Sequence, residues 1–264
     1  MAQLPLCTVV PSTIDPSTID LRPPDLRAGL LHRPDLGAAT RRIAHCALLA
    51  LVAVLIVAGT AAAQDRRQNQ PGKFDFYVLA LSWAPTFCDA AFARAPNRPP
   101  PPECGPRAYP FVVHGLWPQY EIGFPEFCQQ PAPRLDRSVI SSMLDLMPAP
   151  RLIFNEWDKH GTCSGLSERA YFETIRKARA AVKIPEDFLQ LSDAKTIAPA
   201  EIEDAFVKAN PGLSNAAISV TCNRTRLSEV RICMSKDLQF RACEELDSRA
   251  CRREQVTMPP IRGG

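Results

Sequence analysis

The chain is 264 residues long, 46% hydrophobic and 22% charged, which supplies enough apolar side chain for a packed core and excludes a chain that is disordered throughout. Its formal net charge is only +3. From Gln64 onward 26 Lys and Arg stand against 24 Asp and Glu, so overall charge does not predict binding along a nucleic-acid backbone, and a polyanion would need a local patch.

Residues 1–40 repeat Pro-Ser-Thr-Ile-Asp at 11–15 and 16–20 without a periodic apolar face, and read as a disordered extension or as sequence upstream of the true start. Arg41 and Arg42 precede an apolar run from Ile43 to Gly59, which closes on Ala61-Ala62-Ala63. That order reads as a signal peptide over 41–63, the run being somewhat short for a membrane span of roughly 20 residues. Residues 64–72 are expected to form a flexible lead-in, 73–254 a single catalytic domain, and 255–264 a flexible C-terminal tail.

Phe74 to Trp83 is rich in aromatic and aliphatic residues and predicts a buried strand, with a loop after it. Residues 95–110 hold seven prolines among sixteen and should be extended and superficial. Tyr109 to His114 resumes an apolar strand. Asp136 is placed to cap a helix running to about Met147, ended by Pro148, and a second helix is predicted from about Ser167 to Val182 on a stripe of Tyr171, Phe172, Ile175, Ala178 and Val182. A third should start at Pro199 and end near Ala209. Ala217 to Thr221 and Glu229 to Met234 alternate as strands of a hairpin or meander. Helices in the middle with strands on both sides favour an α+β single domain with a central, largely antiparallel sheet flanked by helices.

Eight cysteines follow the leader, at 88, 104, 128, 163, 222, 233, 243 and 251. An even number behind a signal peptide points to an oxidising compartment, secreted or periplasmic, and to four disulfides; no C-x2-C pair supports zinc. Spacing alone leaves 105 pairings open. Arg224, Arg226, Arg231, Arg241, Arg249, Arg252 and Arg253 make the C-terminal part locally basic, but interleaved acids make it read as a mixed, solvated face.

Past the leader only two histidines remain, in His114-Gly-Leu-Trp-Pro118 and in Glu156-Trp-Asp-Lys-His-Gly-Thr-Cys163. Histidine titrates near neutrality and can both take and give a proton. On a helix, Glu156, Lys159 and His160 share one face at i, i+3 and i+4, with Trp157 turned to the core. With His114 delivered opposite them, the set fits cleavage of single-stranded RNA without a metal or cofactor. One imidazole takes the 2′-hydroxyl proton, the other protonates the departing 5′ oxygen, and Lys159 and Glu156 meet the charge on phosphorus. DNA, lacking the 2′-hydroxyl, should survive. Zinc held by Glu156, His160 and His114, and a noncatalytic RNA- or partner-binding protein, are the competing readings. Asn223-Arg-Thr225 is a glycosylation sequon, relevant only in a glycosylating host.

These two segments, about forty residues apart, resemble the active-site segments of the ribonuclease T(2) family of secreted, metal-independent endoribonucleases; Tyr77 to Cys88 and Leu227 to Cys233 are similar to its strands, and the likeness covers about 72–245. The resemblance implies that His160 is the base and His114 the acid of the first step, with Glu156 and Lys159 stabilising the transition state and Trp117 holding a base. Where many relatives have a third histidine this chain has Asn155, which can still donate a hydrogen bond to phosphate. By similarity Cys128 pairs with Cys163, Cys222 with Cys251 and Cys233 with Cys243, leaving Cys88 with Cys104. A monomer, off the membrane once the leader is removed, is expected, and the simple leader is compatible with a bacterial origin.

Overall fold

A computed structural model describes residues 68–244, 246 and 250–262. The expected extension at 1–40, the signal peptide at 41–63 and the first residues of the lead-in lie outside the described residues. The strands are β1 (Phe76–Trp83), β2 (Phe111–Gln119), β3 (Lys195–Ile197), β4 (Ile218–Asn223), β5 (Arg226–Met234) and β6 (Val256–Met258); the helices are α1 (Ala84–Arg94), α2 (Arg137–Met143), α3 (Pro150–Lys159), α4 (Glu168–Ala180) and α5 (Pro199–Ala209). The described residues form one compact unit. No helix among the described residues is long and apolar enough to cross a membrane.

β1 is an interior strand of the sheet, and its apolar residues on both faces are buried. It pairs antiparallel with β2 on one side and with β5 on the other. β5 also pairs with β4, and the sheet continues through β6 to β3, with β5 and β6 its one parallel contact. Tyr77, Leu79, Leu81 and Trp83 point to the main core. There they meet Ile153 and Trp157 of α3, Tyr171, Phe172 and Ile175 of α4, and Ile202 and Phe206 of α5, all buried. Each such side chain contributes roughly 1.5–3 kcal/mol. Phe76 and Val78 point the other way, to a smaller cluster with Cys233, Cys243 and Leu246.

Several elements depart from the sequence expectation. The loop expected after Trp83 is helix α1, opened by Pro85 in its first turn, where a missing N–H costs nothing. The helix expected to reach Met147 ends at Met143, and Asp136 occupies the N-cap without a side-chain cap bond. Ser167, by contrast, does cap α4, its side chain accepting from Ala170 N.

The described parts of the two expected flexible ends, 68–72 and 255–262, are both tied down. Gly72 N donates to Cys163 O at 2.9 Å, and Glu126 N to Asn69 Oδ1 at 3.0 Å. Beyond 254 the chain forms β6 rather than a tail: Val256 and Met258 are buried, Trp83 Nε1 donates to Pro259 O at 3.1 Å, and Ile261 N to Leu191 O at 2.8 Å. Apolar residues at alternate positions gave Val256 and Met258 a sheet face to fill, and the short run was too brief to register as a strand in the sequence.

The four disulfides join Cys88 to Cys104, Cys128 to Cys163, Cys222 to Cys251 and Cys233 to Cys243. The first holds α1 to the proline-rich segment. The second matters most for the cleft described below.

Candidate active site

Strand β2 supplies His114 through an irregularity. In its pairing with β1, Ala80 faces Gly115 and Leu81 faces Val113, so His114 has no partner and forms a β-bulge. A bulge shifts the alternation by one residue and re-aims the side chains around it. His114 and Trp117, three apart, would face opposite sides of a regular strand. Here both lie outside the main core, their ring centroids 5.2 Å apart. Val113 and Leu116 take the core side, and Tyr171 Oη of α4 anchors the strand from beneath by donating to Leu116 O at 2.9 Å.

Helix α3 supplies Glu156 and Lys159, and His160 is its C-cap. Glu156 is only 5% exposed, and Trp117 Nε1 donates to its Oε2 at 2.7 Å. His114 Nε2 lies 3.5 Å from Glu156 Oε1. This approach explains the glycine of the first segment, since a Cβ on Gly115 would sit 2.0 Å from Glu156 Oε2. Gly161 has the same role beside His160, where a Cβ would meet Trp157 at 2.3 Å. Trp157 is buried in the core and donates from Nε1 to Pro133 O at 2.7 Å.

The loop between β2 and α2 closes one side. Cys128–Cys163 fastens it to the end of α3, with Phe127 N donating to Lys159 O at 2.8 Å and Cys128 N to Thr162 Oγ1 at 3.2 Å. The loop thereby presents Phe124 near His160, centroids 6.2 Å apart, and Glu126 within 3.5 Å of Lys159 Nζ.

A cleft of about 370 Å³ results, lined by His114, Trp117, Gln119, Phe124, Glu156, Lys159, His160 and Arg231 among others. Trp117 lies between the two imidazoles, 5.4 Å from His160. A second cavity of about 760 Å³ shares His114 as a wall and is lined by Ser82, Thr86, Arg226 and Glu229 among others. Asn155 is exposed and lines neither cavity. Among the described residues no three His, Cys, Asp or Glu side chains are grouped as a metal site.

Two residues that support the cleft lie outside the two histidine segments. Glu229 and Arg231, at i and i+2 on β5, point to the same side of the sheet as His114. His114 Nδ1 and Glu229 Oε1 are hydrogen-bonded, while Arg231 donates to Glu229 Oε2 from Nε at 2.9 Å and Nη2 at 2.7 Å. The Arg231 guanidinium also lies 5.0 Å over the Trp117 ring. The sequence signal, visible in retrospect, is a charged pair at alternate positions of an otherwise apolar strand.

The electrostatics set the two histidines apart. Burial alone would lower the His114 pKa, but the hydrogen bond and charge of Glu229, with the charge of Glu156, overcome it and the repulsion of Arg231, so the value is raised. His160 has no such partner: burial, reinforced by the charges of Lys159 and His114, lowers it to about 3. No described group hydrogen-bonds its buried Nδ1. Burial drives the Glu156 carboxyl up to about 7 against the pull of His114 and the Trp117 hydrogen bond. The cleft thus pairs an imidazole biased toward its protonated form with one biased toward its neutral form, beside a carboxyl that burial moves toward neutrality.

A mixed sheet backed by helices, with two unlike imidazoles, a carboxyl and an ammonium around one cleft, defines a disulfide-linked α+β protein equipped for proton transfer. Its family is shown by comparison: the sequence model of the Ribonuclease T2 family matches residues 74–243, and the chain belongs to that family. A probable ribonuclease of Haemophilus influenzae is 32% identical over 186 residues, 67% of this chain and 64% of that protein, so the match spans just under two thirds of the relative's length. A ribonuclease of Aeromonas hydrophila is 32% identical over 175 residues, 64% of this chain and 76% of that one. Among solved structures, RNase NT in complex with 5′-AMP is similar, with a TM-score of 0.54 and 26% identity, covering 71% of this chain and 99% of that one.

Proposed function

We propose that this chain is a secreted or periplasmic endoribonuclease that cleaves single-stranded RNA by attack of the ribose 2′-hydroxyl on the adjacent phosphorus. The observation that carries the reading is the pair of imidazoles lining one cleft, His114 bonded at Nδ1 by Glu229 and His160 without such a partner, with Glu156 and Lys159 beside them. Family membership and the ribonuclease relatives support it. Four disulfides support the oxidising compartment.

His160 accepts the 2′ proton as the 2′ oxygen bonds to phosphorus. The bond from phosphorus to the 5′ oxygen breaks, its electron pair leaves with that oxygen, and His114 Nε2 gives it a proton. Lys159 neutralises a nonbridging oxygen, and Glu156 in its protonated form donates a hydrogen bond to another. The products are a 2′,3′-cyclic phosphate and a free 5′-hydroxyl. In a second step His114, now neutral, takes a proton from water, His160 returns one to the 2′ oxygen, and a 3′-phosphate remains. Trp117 and Phe124 offer flat faces on which an unpaired base can stack, a grip that tolerates any base. Asn155, exposed and outside the cleft, supports at most a contact to the strand at its margin.

The test is incubation of the purified protein with single-stranded RNA and DNA in excess chelator, followed by analysis of the ends. Cyclic 2′,3′ ends on RNA and intact DNA are expected. Cleavage that needs added zinc, cleavage of DNA, or no cleavage at all would overturn the proposal, the last in favour of a noncatalytic binding protein.

A further inference from the structure

His114 and His160 are held in different ways. Nothing described bonds the Nδ1 of His160, whereas His114 is gripped from the side away from the cleft. Glu229 divides its two oxygens: Oε1 meets His114 Nδ1 and accepts from Ser82 Oγ at 3.2 Å, while Oε2 takes both Arg231 donors. The carboxylate is 6% exposed and sits on the strand beside β1, with Ser82 as its register partner. An ion pair with Arg231 alone would satisfy a structural carboxylate. The second oxygen, turned to the imidazole, is what such a pair does not require.

An imidazole that must deliver a proton from Nε2 needs its other proton kept on Nδ1, and a carboxylate there fixes both the tautomer and the ring orientation. We propose that Glu229 is a positioning residue for the proton-donating step: it holds His114 by Nδ1–H, so that Nε2–H points to the departing 5′ oxygen, and Arg231 holds Glu229 in place. This rests on the reading of His114 as the acid. After transfer, His114 is left neutral with its proton on Nδ1 and its Nε2 lone pair free, the state in which it takes a proton from water in the second step. The Arg231 guanidinium, lying over Trp117, whose Nε1 bonds Glu156, links this support to the other side of the cleft.

The charged groups around His114 are Glu229 and Arg231 from β5, Glu156 and Lys159 from α3 and His160 at its end, with Asp89 and Arg94 of α1, Arg224 of the β4–β5 turn and Arg226 at the start of β5 lining the larger cavity. Of these only Glu229 bonds Nδ1, so its loss should act on the leaving-group step in particular. The experiment compares an oligoribonucleotide, whose sugar oxygen leaves only with a proton, with a ribonucleoside 3′-(4-nitrophenyl phosphate), whose phenolate needs none. For Glu229→Gln, turnover of RNA should fall on the order of 10- to 100-fold, and turnover of the aryl ester several-fold less. Both are measured on one preparation, so partial unfolding lowers them alike. Equal losses on the two substrates, or none on either, overturn the inference.

His114→Ala separates the two claims. If it shows the leaving-group-dependent loss and Glu229→Gln does not, the positioning role fails and the acid assignment stands; if His114→Ala shows equal losses, the acid assignment itself fails. Should Glu229→Gln not fold, nitrogen-15 NMR of the unaltered protein decides. Above its titration, neutral His114 should carry its proton on Nδ1, and a proton on Nε2 overturns the inference.

Discussion

Replacing Glu156 by Gln should make the folded protein more stable at alkaline pH while slowing cleavage. A free glutamate ionises near 4.5, whereas burial delays ionisation of Glu156 to about 7. Between those values the folded chain binds more protons than the unfolded one, so stability falls as pH rises. Each pH unit costs about 1.4 kcal/mol, and the loss levels off above pH 7 at a total on the order of 3 kcal/mol. Gln has nearly the same volume and keeps an oxygen for Trp117 Nε1, now 2.7 Å from the carboxyl, but it never ionises. The variant should therefore match the parent near pH 4 and exceed it by most of that 3 kcal/mol at pH 8, read by guanidinium unfolding with disulfides oxidised. RNA cleavage should fall about 10²-fold. A stability difference that does not change between the two pH values, or a variant weaker than the parent at pH 8, would refute the reasoning.

Activity itself should follow the same groups. The rate should rise as His160 loses its proton through about 3 and decline as Glu156 ionises through about 7 and His114, its pKa raised, gives up its proton; kcat/KM between pH 3 and 9 tests this, and an optimum above pH 8 contradicts it. Replacing Cys128 and Cys163 together by Ser opens a loop of 35 residues, worth about 4 kcal/mol of unfolded-state entropy. Calorimetry should show a large drop in Tm, with a rise in KM as Phe124 loosens, and an unchanged Tm refutes it. Truncation after residue 255 removes buried Val256 and Met258, roughly 1.5–3 kcal/mol each, and strips Trp83 Nε1 of its acceptor. A truncated chain that keeps the parental Tm would return those residues to the status of a tail.

Much of the molecule was legible because it depends on near neighbours. The stripe on α4, Pro199 at the start of α5 and the buried strand β1 follow from local periodicity and from proline chemistry. Glu156, Lys159 and His160 gather at one end of α3 because helical spacing puts them there. The failures have equally physical causes. Helix α1 lies under a sequence that its proline and mixed residues disguised as loop, and β6 is too short to show a period, its three residues becoming a strand only because the sheet offers them an edge.

Residue types and spacings, then, determined what chemistry the chain could carry: two histidines able to exchange protons, a carboxyl, an ammonium, and eight cysteines to lock a small domain. They could not determine which face His114 would take. Simple alternation sends His114 and Trp117 to opposite sides of the sheet, and only the bulge opposite Ala80 and Leu81 brings them together. Nor could they say that Glu229, 115 residues downstream, would meet His114 and so make it unlike His160. Those two facts depend on strand register and on burial among distant charges, and both exist only once the sheet has assembled.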